Sequence, residues 1–319
     1  MADRVLITCP QMGVSFPQFA HRFQSQGVLV DLPEVVQALS EAELLDVIDR
    51  YDGVIAGDDQ FTAAVLEKAA GRLRILSKWG VGVDGIDRDA ADRLGILVTN
   101  TPGTFDGEVA DVCVGYLVML ARQLHVLDAG IRGGSWPKVE GTSLGGKALG
   151  VVGLGGIGFA LCKRALAMDM RVLGVDADPA MRERAAAAGV IVRELDEVLP
   201  EVDFLSLNCP LTAATRHLLD AHSLSRMKRG ARIINTGRGP LIDELALVEA
   251  LRSGQVGGAA LDVFETEPLP SDSPLRDLPR VILGSHNGSN TAEGVARVSA
   301  RAVDNLLAGL RAERTGPAA

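Results

Sequence analysis

Short apolar runs of a few residues alternate along most of the chain with longer stretches whose apolar positions recur every three to four residues. The short runs read as buried strands and the longer stretches as amphipathic helices. Their alternation is the pattern of βαβ units around a parallel sheet. In the first hundred residues it predicts strands at 5–8, 28–30, 54–56, 75–77 and 97–99, with helices over 16–26, 40–50 and 61–70. A second series opens after Asn100-Thr-Pro-Gly with a long helix from about 108 to 122. It continues with strands at 148–152, 171–175, 204–207, 232–236, 259–263 and 281–284. The last pattern, 292–310, puts Val295, Val298, Val303, Leu306, Leu307 and Leu310 on one side of a helix.

The expected fold class is α/β, with two Rossmann-like or flavodoxin-like doubly wound parallel-sheet domains and a cleft between them. Breaks near Asn100 and after Ser285 give residues 1–99 as a substrate-binding domain and 100–285 as a dinucleotide-binding domain. Residues 286–319 then form a C-terminal segment that returns to the first domain. The cleft is the natural substrate site.

Composition narrows the partners. Of 319 residues, 47% are hydrophobic and 23% charged, as in soluble globular proteins, and 36 glycines suit tight strand-to-helix turns. The net charge is −9 and no basic stripe appears, which argues against nucleic acid. The N-terminal apolar run is too short for a signal peptide, and no stretch approaches a membrane span, so a cytoplasmic protein with no membrane partner is expected. Cys9, Cys113, Cys162 and Cys209 lie far apart with no clustered histidines. No disulfide and no metal site is expected, only reduced, mostly buried thiols.

The strongest chemical signal is Gly153-Leu-Gly155-Gly156-Ile157-Gly158, in G-x-G-x-x-G spacing. It follows an apolar strand, opens a helix and precedes a second strand, the context in which the motif binds a dinucleotide. Gly153 allows the tight turn, Gly155 lets the backbone approach a pyrophosphate, and Gly158 lets helix pack on strand. Amides near Gly156 and Ile157 would face the phosphates at the positive end of the helix dipole. Asp176, 18 residues beyond Gly158, is placed to accept hydrogen bonds from a ribose and to repel a 2′-phosphate. This favours NAD over NADP, although Arg182 or Arg184 could soften the preference.

Arg238, Glu267 and His286 each follow a predicted strand of the second block, on the edge that carries the glycine loop. Taken singly, such residues are more often solvated loop or capping groups. Together they suit hydride chemistry at a secondary alcohol. Imidazole exchanges the hydroxyl proton, a carboxylate beside it fixes its tautomer and favours the imidazolium, and a guanidinium fork matches a carboxylate and a carbonyl oxygen.

These motifs, with Asn208-Cys-Pro-Leu-Thr, Asn235-Thr-Gly-Arg-Gly, Ala260-Leu-Asp-Val-Phe-Glu-Thr-Glu-Pro and Ser285-His-Asn-Gly, resemble the NAD-dependent D-isomer-specific 2-hydroxyacid dehydrogenases. The resemblance spans nearly the whole chain and is nearest the phosphoglycerate dehydrogenase-like and hydroxypyruvate reductase-like branch. It implies that Arg238 binds and polarises a 2-oxo acid, that Glu267 supports His286, and that His286 is the acid/base. It also implies that Cys209, Pro210, Thr215, Thr236 and Asp262 line NAD, and that the loop Lys78-Trp79-Gly80-Val81-Gly82 holds the substrate. Ser285-His286-Asn287, Phe105 and Asp111 depart from the usual family residues, which bears on the substrate rather than the reaction. An NADH-sensing corepressor or a phosphite-oxidising relative are the alternatives. Glu267 stands where formate-oxidising relatives carry Gln.

Two further expectations concern partners. The helix at 108–122 has apolar residues on more than one face. That fits a helix buried within a domain equally well, but the resemblance implies a homodimer through the NAD-binding domain. Arg238 and the amides of Val81 and Gly82 already provide for the substrate's own carboxylate, so Lys78 is a surplus cation. It suggests a second anion on the substrate, such as phosphate, phosphonate, sulfonate or carboxylate, with Trp79 walling the pocket. A lysine paired with a nearby acid is the competing reading.

Overall fold

The computed structural model describes residues 2–312; 313–319 of the expected C-terminal segment lie outside the described residues. The chain forms two compact units, residues 2–105 with 289–312, and residues 106–288. The divisions fall after Phe105 and Gly288 rather than at 99 and 285. Thr101 holds the 100–105 segment to the first unit, because its amide donates to Gly80 O (2.9 Å) and its hydroxyl accepts from the Gly80 amide (3.0 Å). The 286–288 turn is tied instead to Asp262 of the second unit.

The first unit runs β1 (Arg4–Ile7), α1 (Pro10–Ser15), α2 (Ala20–Gln24), β2 (Leu29–Asp31), α3 (Glu41–Leu45), β3 (Gly53–Ala56), α4 (Ala63–Lys68), β4 (Ile75–Lys78), α5 (Arg88–Arg93) and β5 (Leu97–Thr99). All five strands are parallel, in the order β2-β1-β3-β4-β5. Every residue of β3 and β4 is buried, and β3 accordingly reads as a continuous apolar run rather than an alternating one, whereas β4 ends on the buried polar pair Ser77 and Lys78. The helix expected over 16–26 is broken into short pieces. Pro10 starts α1 early, and Pro17, which lacks an amide hydrogen, sits in a 3₁₀ turn at 16–18.

In the second unit α6 (Asp106–Arg122) and α7 (Leu124–Arg132) precede β6 (Ala148–Val152), α8 (Gly156–Ala167), β7 (Arg171–Val175), α9 (Pro179–Ala187) and β8 (Ile191–Val192). Then come α10 (Leu195–Val198), β9 (Phe204–Leu207), α11 (Ala221–Arg226), β10 (Ala231–Asn235), α12 (Glu244–Arg252), β11 (Val256–Leu261) and β12 (Val281–Leu283). The seven parallel strands lie in the order β12-β11-β10-β9-β6-β7-β8, with the direction of winding reversing between β6 and β9. Helix α6 buries Val109, Ala110, Cys113, Leu117, Leu120 and Ala121 and packs against α8.

The chain returns to the first unit in α13 (Ala292–Arg311). Thr291 caps it by accepting from the Gly294 amide (2.9 Å). Its apolar side packs Val298, Val303, Leu306 and Leu307 onto β3 and β4. A Cβ at Gly309 would stand 2.3 Å from Ile75 Cδ1, so glycine lets the helix lie close to the sheet. Among the described residues no single helix is long and apolar enough to cross a membrane.

Candidate active site

At the carboxyl end of β6 the backbone turns through Gly153, whose φ is +91°, and enters α8 with Gly155 as its N-cap. A Cβ at Gly153 would stand 2.6 Å from the Cys209 amide nitrogen, and one at Gly158 1.8 Å from Gly153 O. Both positions need glycine for close approach. At Gly155 nothing lies within 4 Å of the Cβ position, leaving open space at the amino end of a 12-residue helix. That open, amide-rich helix end, with Gly156 and Ile157 in its first turn, fits a pyrophosphate.

Asp176 ends the second strand of the motif, as expected for a ribose partner. Its Oδ2 accepts from the Leu154 amide (2.6 Å) and its Oδ1 from the Asp178 amide (2.8 Å). The carboxylate therefore also braces the glycine loop, and retains acceptor capacity for a hydroxyl. The two arginines that could have received a 2′-phosphate are engaged. Arg182 pairs with Glu194 (2.7 Å), and Arg184 donates to Leu154 O (2.6 Å) while stacking over Phe159.

The remaining cofactor candidates gather near the ends of β9, β10 and β11. The Thr236 hydroxyl donates to Asn208 Oδ1 (3.2 Å), and Thr215 Oγ1 donates to Pro210 O (2.8 Å). Burial pushes the Cys209 thiol up to about 11 and that of Cys113 to about 11, so both stay protonated at neutral pH.

Arg238 leaves β10 in a turn fixed by Asn235, whose side chain donates to Arg238 O (2.8 Å) and accepts from the Gly237 amide (3.1 Å). A Cβ at Gly239 would stand 1.8 Å from the carbonyl carbon of Phe264. Glycine there allows the loop bearing Arg238 to lie directly against the loop bearing Glu267. Glu267 Oε1 accepts from the Phe264 amide (2.9 Å), and its Oε2 lies 2.8 Å from His286 Nδ1. Both side chains are about a fifth to a quarter exposed, at 20% and 24%. The fold thus brings the three sequence candidates onto adjoining loops.

His286 itself has φ +54°, a strained left-handed conformation for a side-chain-bearing residue. Asp262 holds it there. Its backbone oxygen accepts from the His286 amide (2.7 Å), and its carboxylate accepts from the amides of Asn287 (3.2 Å) and Gly288 (2.8 Å). Tyr116 of α6 donates to the same carboxylate (3.4 Å), and burial together with the Asp262 charge pushes the phenol up. Asp262, placed by the resemblance at the cofactor, is thus also the anchor of the histidine turn. A second pair, His217 with Glu265 (2.6 Å), forms on the same loop two residues before Glu267.

The family profile "D-isomer specific 2-hydroxyacid dehydrogenase, NAD binding domain" matches residues 114–288, which carry this whole constellation. The chain belongs to the D-isomer-specific 2-hydroxyacid dehydrogenases. It is 39% identical over 281 residues to a glyoxylate reductase of Thermofilum pendens, covering 86% of this chain and 83% of that one. It is also 39% identical over 285 residues to a D-3-phosphoglycerate dehydrogenase of Methanocaldococcus jannaschii, covering 88% of this chain. It spans only about half, 54%, of that relative's length. Among solved structures, D-lactate dehydrogenase from Aquifex aeolicus complexed with NAD and lactic acid superposes with a TM-score of 0.84 at 27% identity, over 96% of this chain and 95% of that one. The protein is accordingly an NAD-dependent oxidoreductase acting on small 2-hydroxy or 2-oxo acids.

In this dehydrogenase the substrate-loop candidates lie at the end of β4 in the first unit. Gly80 has φ +127°, its amide donates to Thr101 Oγ1 (3.0 Å) and Asn100 Nδ2 donates to Val81 O (2.7 Å), so the turn is anchored at Gly80 and Val81. Two expectations change. Trp79 is 6% exposed and its indole nitrogen donates to Ser299 Oγ of α13 (3.0 Å), so its ring is a core element of the first unit rather than a pocket wall. Lys78 is not a surplus cation, since its Nζ lies 3.0 Å from Asp58 Oδ1.

Sequence reasoning missed Asp58 and Tyr116, which act on site residues from distant positions, and also Asp106. A Cβ at Gly156 would stand 1.9 Å from the Asp106 carboxylate, which burial pushes up. No local motif marks any of them. Among the described residues no group of His, Cys, Asp and Glu is arranged to hold a metal ion.

Proposed function

We propose that Arg238, Glu267 and His286 carry out reversible reduction of a small 2-oxo acid to the D-2-hydroxy acid. NADH, when bound, supplies the hydride. Arg238 offers its fork to the carboxylate and carbonyl oxygen, drawing electron density from the carbon that is reduced. His286 donates a proton from Nε2 to the carbonyl oxygen and, in the oxidative direction, takes it back. Glu267 Oε2, facing Nδ1, keeps that ring nitrogen protonated and turns Nε2 to the substrate. Asp262 holds the histidine turn, and within the first unit the amides of the 80–82 loop are the candidate group for a substrate carboxylate. The observation that carries this reading is the 2.8 Å Glu267–His286 contact on a loop packed against that of Arg238.

We further infer a homodimer through the NAD-binding unit. Helix α7 has no buried residue, and Leu124, Ile131 and nearby Trp136 are exposed, an apolar surface that a second copy would cover.

The test is turnover with NADH across glyoxylate, hydroxypyruvate, pyruvate and phosphohydroxypyruvate. NADH oxidation with at least one of the first three, yielding the D-hydroxy acid where the product is chiral, is expected. No oxidation with any of the four would refute the reading.

A further inference from the structure

We propose that Asp58 sets the substrate class by neutralising Lys78, so that the enzyme prefers 2-oxo acids whose remaining group is uncharged over those bearing a phosphate or second carboxylate. This rests on the reading that the 80–82 loop holds the substrate's carboxylate.

Lys78 is the last residue of β4, and its side chain is 7% exposed. Its Nζ donates to Asp58 Oδ1 (3.0 Å) and Trp79 O (3.1 Å), and lies 3.6 Å from the position a Cβ would take at Gly80. The cation is therefore beside the first residue of the substrate loop. Unpaired there, it would attract a second anion on any bound oxo acid.

Asp58 removes that attraction, and its position is built rather than incidental. Ala56 is in register with Lys78 across β3 and β4, so Asp58, two residues further on, projects from the same sheet edge. The turn that carries it is fixed by Asp59, a 1% exposed carboxylate that accepts from the amides of Gly57 (2.9 Å) and Leu39 (2.7 Å) and from the Thr8 hydroxyl. A Cβ at Gly57 would stand 3.2 Å from Cys9 Cα, so the turn lies tight on the end of β1. Gln37 Nε2 donates to the other oxygen of Asp58 (3.4 Å).

A substrate phosphate reaching Lys78 would have to displace a fixed carboxylate from a nearly buried ammonium. It would also sit beside the displaced Asp58 carboxylate and one further acid, the buried Asp59. Like charges at such separations discriminate strongly where water is scarce. An uncharged hydroxymethyl or hydrogen substituent meets neither barrier.

Asp58→Asn keeps the shape and removes the charge. The ratio of kcat/KM for phosphohydroxypyruvate to that for hydroxypyruvate should rise by about tenfold or more, the scale of one charged hydrogen bond. Adding Lys78→Met should cancel the rise. Asp58→Ser provides the same test should the asparagine variant fail to fold. A readout independent of turnover is the melting temperature in inorganic phosphate, which should increase more for the Asp58 variant than for wild type or the double variant. A wild type that already prefers phosphohydroxypyruvate, or an unchanged ratio and unchanged phosphate response in the Asp58 variants, would overturn the proposal. Failure of the underlying reading is distinguishable, because a wild type inactive on all 2-oxo acids refutes that reading while the phosphate melting comparison still judges the Asp58–Lys78 pair.

Discussion

The two units place very different groups at the same topological position. In each, the winding of the sheet reverses beside one strand, between β1 and β3 in the first unit and between β6 and β9 in the second. Open parallel sheets bind ligands at the carboxyl end of such a point. In the second unit that point carries Gly153, Gly155 and the amino end of a 12-residue helix, open at Gly155. In the first it carries Thr8, Cys9 and the buried Asp59 carboxylate, followed by a six-residue helix. The amides of Gly57 and Leu39 are spent on Asp59, whose charge would repel a phosphate. Topology supplies the position, but residues decide whether it binds an anion.

Glycine substitutions should break or sharpen this contrast most strongly. Gly158→Ala drives a Cβ into Gly153 O, 1.8 Å away. NADH affinity by fluorescence titration should fall by roughly a hundredfold or more, or the unit should unfold, as expected for backbone overlap that only a shift of the helix relieves. Gly57→Ala, at the matching edge of the first unit, meets its nearest atom at 3.2 Å and should leave NADH affinity within about threefold. Equal losses in the two variants would contradict the contrast.

A smaller effect is expected at Asp176. Asp176→Ala removes a carboxylate that accepts from the Leu154 amide and is the proposed ribose partner. NADH should bind about tenfold more weakly, the scale of a lost charged hydrogen bond, while NADPH loses less. A wild type that prefers NADPH, measured as the ratio of kcat/KM values, would contradict the assignment.

Much of this was legible because local pattern and tertiary role coincide. The runs at 148–152, 171–175 and 204–207 are strands at those residues, since strands largely buried on both faces leave mainly apolar runs, interrupted only by Arg171 and Ser206. Where burial is slight the signal fades. Helix α9 buries only Ala185 and was not legible by periodicity, although Asp178 caps it and Pro179 opens it. Strand β8 has two residues and no alternation to read.

The candidate site divides in the same way. The glycine loop, Arg238, Glu267 and His286 lie just beyond strands, so their shared edge follows from the sheet alone. Residues that act through another chain segment do not. Asp58 reaches Lys78 across 20 positions, and Tyr116 reaches Asp262 across 146. Lys78 appeared surplus because nothing in the order of residues shows which acid it meets.

The most direct test of the central claim is one paired measurement on His286→Asn, namely NADH affinity by fluorescence titration and NADH oxidation with whichever 2-oxo acid the wild type turns over fastest. NADH binding should stay near wild type while turnover falls by roughly 10² to 10⁴, the loss expected for a general acid/base. A folded variant that keeps wild-type turnover would contradict that claim.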